Sequence, residues 1–114
     1  MANNDWVAEF GGAVVVADAR GAIVEMNERA AKNLEKDGGR ALLGSDVLKC
    51  HPEPSRTKLK TIMAGRKTNV YTIEKRGVKK LIYQAPWTSR GRYRGIVELS
   101  LEIPFDMPHF VRKG

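Results

Sequence analysis

The chain has 114 residues, enough for one compact domain with a single core and too few for two. An apolar fraction of 42% with a net charge of +7 excludes a disordered chain and describes an ordinary globular one. The single cysteine excludes an internal disulfide, no apolar run approaches the roughly 20 residues of a membrane span, and no basic-then-apolar leader opens the chain. These features predict a cytoplasmic domain, whole or cut from a larger protein.

Asn3, Asn4 and Asp5 are good helix caps, and Trp6, Val7 and Phe10 recur at near-helical spacing. A helical cap over residues 1–10 is expected, ended by Gly11 and Gly12. The β-branched run "AVVVA" (13–17) and "AIVEM" (22–26), joined by "DARG", predict a tight hairpin. Asn27 is placed to cap a helix carrying Ala30, Ala31 and Leu34 as its apolar stripe, with Gly38 and Gly39 as its stop. Residues 40–55 mix apolar pairs, Gly44 and prolines, a pattern of short helical turns and loop. Pro54 and Ser55 open a helix with Leu59, Ile62 and Met63 on one face, closed by Gly65.

Three strands follow. Residues 69–75 form the first. Residues 79–87 place Leu81, Tyr83, Ala85 and Trp87 on one face. Residues 93–103 place Val97, Leu99, Leu101 and Ile103 on one face, with Glu98, Ser100 and Glu102 opposite. Pro104 ends the last strand, and the tail 105–114 is expected to lie against the domain without regular structure. The economical arrangement is α+β: five strands in one antiparallel sheet with helices packed on one face, the domain proper spanning 11–104.

Charge is concentrated. Between Arg56 and Arg94 stand 12 Lys and Arg residues against one acid, Glu74. Such a segment attracts phosphates or nucleic acid, while charges flanking turns also protect a sheet edge.

Cys50 and His51 stand side by side in "KCHPEPS", the pairing of a nucleophile, a metal site or a haem ligand. A nucleophilic cysteine needs a base within hydrogen-bond reach and a group to orient it, and adjacent residues point apart. Structural zinc needs four ligands, which one cysteine and two distant histidines do not supply. Haem needs only one axial histidine, so His51 qualifies by residue type. The plainer alternative is that Pro52 and Pro54 shape the connection and start the helix while Cys50 packs as a small apolar residue. No phosphate-cradling loop and no kinase or cyclase signature appears, so the chain is expected to be non-enzymatic.

Asp18 and Gly21 in the first turn, Ile23, Asn27, Ala30, Ala31, Leu34 and Gly44, closed by "EIP" (102–104), resemble the PAS domain, a small sensor module of signalling proteins. The resemblance spans about residues 10–104, and Pro104 stands where many PAS domains carry threonine. It implies a cavity between helices and sheet holding haem, flavin, a metabolite or nothing, and frequent dimerisation. The photoreactive flavin motif of light-sensing relatives is not matched by "LKCHPEPS". Haem-binding members place their ligand near the helix before the third strand, close to His51. On this resemblance the pocket is expected at Cys50, His51, Leu59, Ile62, Met63, Tyr83, Trp87 and Leu99, and a homodimer contact at Trp6, Val7 and Phe10. The partners expected are a small molecule or effector protein and a second copy of the chain. Two alternatives stand beside this reading: a haem or redox sensor centred on Cys50 and His51, and a basic nucleic-acid-binding module over 56–94.

Overall fold

The computed structural model describes residues 5–114. Its elements run α1 (Asp5–Ala8), β1 (Ala13–Asp18), β2 (Ile23–Met26), α2 (Glu28–Asn33), α3 (Ser55–Gly65), β3 (Asn69–Lys75), β4 (Val78–Ser89) and β5 (Arg92–Ile103). Three short 3-10 turns, Glu35–Asp37, Gly39–Leu42 and Val47–Cys50, fill the stretch between α2 and α3. Asn3 and Asn4, expected as caps of the first helix, lie outside the described residues.

The five strands form one antiparallel sheet in the order β2-β1-β5-β4-β3, with the last strand at its centre. The expected α+β architecture is therefore present, and β4 and β5 are each slightly longer than their apolar alternation marks. The stretch 39–50 is stapled to the β2 edge by backbone hydrogen bonds. Ile23 N–H donates to the Ser45 carbonyl at 2.8 Å, Val47 N–H to Gly21 at 2.7 Å and Gly44 N–H to Ile23 at 2.7 Å. Gly21 sits at φ 89°, a left-handed geometry that costs glycine little.

Asn27 organises the N-terminal corner. Its side-chain oxygen accepts from Ala30 N–H, capping α2, and from Val14 N–H, both at 3.0 Å. Its amide donates to the Val7 and Gly12 carbonyls at 2.9 Å. All four hydrogen-bonding positions of one buried side chain are used, tying α1, β1 and α2 together.

One face of the sheet carries the core: Ala13, Val15, Ala17, Ile23, Met26 and Ile96 pack against Ala30, Val47 and Leu59. Side chains alternate between faces along a strand, so the register settles which residues of β4 and β5 join them. Ile96, Glu98 and Ser100 pair with Ala17, Val15 and Ala13, and with Pro86, Gln84 and Ile82 on the other side. Glu98, Ser100 and Gln84 thus lie on the covered face, where the sequence pattern expected the apolar set. Tyr83, Trp87, Leu99, Leu101 and Ile103 lie on the outer face.

Candidate functional site

Beneath the helical segment the covered face is polar. His51, at the end of the Val47–Cys50 turn, is buried, and its Nε2 lies 2.7 Å from Glu98 Oε2 on β5. Gln84 on β4 donates to the same oxygen at 2.6 Å and accepts from the Asn69 amide of β3 at 3.1 Å. The Tyr71 hydroxyl faces Gln84 and Ser55. A chain of side-chain hydrogen bonds therefore runs from the turn before α3 across three strands, β5, β4 and β3. Among the described residues no buried side-chain polar atom is left without a partner.

The partners favour the protonated form of His51. Its Nδ1 lies 3.0 Å from the Val47 carbonyl, an acceptor only, so Nδ1 carries a proton. Nε2 faces a carboxylate, and an imidazolium satisfies both contacts at once. Burial pulls the imidazole pKa down and the nearby Arg56 charge adds to that. The hydrogen bond and charge of Glu98, with the Val47 carbonyl, outweigh both, so His51 sits above its ordinary value. Arg56 also donates from Nε to the carbonyls of Leu48 and His51, at 3.2 and 3.0 Å, clamping the turn onto α3. Glu53 holds the helix start from the exposed side, accepting from Thr57 N–H at 3.0 Å.

The expected pocket residues divide. Leu59 and Ile62 are buried on the sheet side of α3, Met63 packs half-buried beside them, and Cys50 and His51 sit at the helix entrance. Tyr83, Trp87 and Leu99 are not brought to them. They occupy the opposite face because the apolar half of β4 and β5 turns outward. Of the residues expected at a dimer contact, Trp6 and Phe10 are exposed and meet edge to face with centroids 6.1 Å apart. Val7 does not share that surface: it is buried, and its carbonyl is held by Asn27. Glu98, Gln84 and Asn69 were missed as site residues, since alternation assigns polar positions to solvent.

Cys50 is half-buried, and burial pushes its pKa up, helped by the charges of Asp37, Glu98 and Asp46. It is held as a thiol, the unreactive form. Among the described residues no group of three or more His, Cys, Asp or Glu side chains is arranged to hold a metal ion. Haem at His51 does not fit this packing: both ring nitrogens are engaged, so no lone pair is free for iron. The basic residues of 56–94 are scattered over α3 and the residues after it, the two ends of the 12-residue strand β4, and the start of β5.

No family model matches the sequence, and no curated protein matches it significantly. Solved structures do match in shape. A sensory box sensor histidine kinase from Vibrio cholerae aligns with a TM-score of 0.66 at 16% identity, over 90% of this chain and 89% of that one. The PAS domain of an HTR-like protein from Haloarcula marismortui aligns at 0.61 and 18% identity, over 86% of each. The Aer2 receptor from Vibrio cholerae, described as a dual PAS-heme oxygen sensor, aligns at 0.64 and 15% identity, over 82% of this chain and 95% of that one. The chain has the PAS fold.

Proposed function

We propose that this chain is a non-catalytic sensory domain of a signalling protein, in which a small molecule or partner biases the packing of the helical segment on the sheet. The observation that carries this reading is the buried relay His51–Glu98–Gln84–Asn69. It joins the turn before α3 to the central strand β5, the strand that leads out of the domain toward Ile103. Two arrangements of such a relay, made and broken, are the kind of bistable element that a ligand shifts by binding one of them better. The absence of a free imidazole nitrogen and of a thiolate favours this role over haem sensing or nucleophilic chemistry.

The relay state passes to a second copy through the outer sheet face. Leu81, Ala85, Leu99 and Leu101 are only half-buried there, Tyr83 is 40% exposed, and Trp6 and Phe10 lie at the same end as Leu101. A contiguous apolar sheet face of this kind marks an association surface. Among the described residues no helix is long and apolar enough to cross a membrane, and a cytoplasmic setting agrees with the free thiol.

Native mass spectrometry of protein taken directly from cells tests the reading. A dimer, with or without an added ligand mass, is expected. A monomer that carries no ligand and acquires none from a cell extract contradicts it.

A further inference from the structure

A cleft of about 420 Å³ opens at the other end of the molecule from the β3–β4 turn, within the range of about 300–1,000 Å³ common for small-molecule sites. It is lined by Asp18, Arg20, Val24, Trp87, Tyr93 and Arg94, between the β1–β2 turn and the start of β5. Two aromatic walls are held in place. Trp87 stands opposite Gly95, and the missing side chain lets its indole reach past β5 to donate to the Ala17 carbonyl at 3.1 Å. Tyr93 is backed by the Arg66 guanidinium, 4.4 Å from the ring centroid.

The charges at this end are one-sided. Arg20 and Arg94 are exposed at the cleft, and neither forms an ion pair among the described residues, where His51 with Glu98, away from the cleft, is the ion pair present. Asp18 is the single acid in the lining, and its Oδ1 is tied into the turn, accepting from the backbone N–H of Arg20 and Ala22 at 2.9 and 3.0 Å. Arg90 in the β4–β5 turn and Arg92 at the start of β5 add to the positive field.

We propose that this cleft binds a small planar aromatic anion, its ring against Trp87 and Tyr93 and its anionic group between Arg20 and Arg94. Flat rings stack on fixed aromatic walls, and guanidinium groups recognise carboxylate or phosphate through paired N–H donors. The shared chemistry is a ring with an appended anion, supplied by a nucleoside monophosphate or by an aromatic carboxylate. The site lies apart from the His51 relay and does not depend on it.

The test uses the full chain carrying Trp6→Phe, so that Trp87 is the one indole reporting. Its fluorescence is titrated at low salt with AMP, benzoate, adenosine and inorganic phosphate. Saturable quenching by AMP or benzoate is expected, at least about tenfold tighter than by adenosine or phosphate. A preference for AMP assigns the phosphate source and one for benzoate the carboxylate. Adding Arg20→Ala with Arg94→Ala is expected to weaken that binding by about tenfold or more at unchanged circular dichroism. The proposal is overturned if neither AMP nor benzoate saturates, if phosphate alone matches them, or if the double variant binds like its parent.

Discussion

His51 and Glu98 are a pair whose partners are each needed by the other. Their side chains are 10% and 18% exposed, so removing one leaves its partner largely out of water. His51→Ala therefore strands the Glu98 carboxylate and opens a gap beside Val47, and it is expected to cost about 2–4 kcal/mol. A urea midpoint lowered at unchanged slope reads that loss; a shift below about 0.5 kcal/mol is a surface result and contradicts the burial. The same pair sets a pH dependence. Because the folded state raises the His51 pKa, its stabilisation is complete below the unfolded value of about 6.5 and disappears as pH rises through the raised one. The stability gap between wild type and His51→Gln is expected to be largest near pH 6 and to narrow toward about pH 9. A gap that widens over this range would mean that His51 is held neutral.

The strands explain how much the sequence disclosed. The hairpin, the Asn27 cap and the α3 stripe were legible because local propensity and tertiary demand agree there: Asn27 does cap α2, and Leu59 and Ile62 are buried. The orientation of β4 and β5 was not. Val97, Leu99, Leu101 and Ile103 form the more apolar side, yet Ile96, Glu98 and Ser100 face the helices. Alternation identifies two faces without saying which is covered, and a polar network inside an apolar layer inverts the usual assignment. The His51–Glu98 contact spans 47 positions, so spacing carries no trace of it.

Gly95 holds β1 and β5 close together. It sits at φ 149°, and a Cβ there would run into the Ala17 backbone where β1 and β5 pair. Gly95→Ala must separate those strands and release the indole of Trp87 from the Ala17 carbonyl. A loss of about 3 kcal/mol or more is expected, with a changed near-ultraviolet signal from Trp87. An unchanged melting temperature would show that the two strands do not meet so closely.

Across the whole molecule the two sheet faces divide the work: the covered face holds the relay and the outer face remains apolar. If a second copy sits on the outer face as proposed, a charge at its exposed position disrupts it, so Tyr83→Arg is expected to convert dimer to monomer in sedimentation while leaving the fold intact. A protein that sediments as a monomer before the substitution contradicts an outer-face dimer. The relay itself is reached most directly by following backbone amide shifts during a pH titration of wild type and His51→Gln. Amides around Asn69, Gln84 and Glu98 and onward along β5 to Ile103 are expected to move together, with one midpoint above that of an ordinary histidine, and to stop moving in the variant. Shifts confined to the turn around His51, with β5 unmoved, would contradict the coupling.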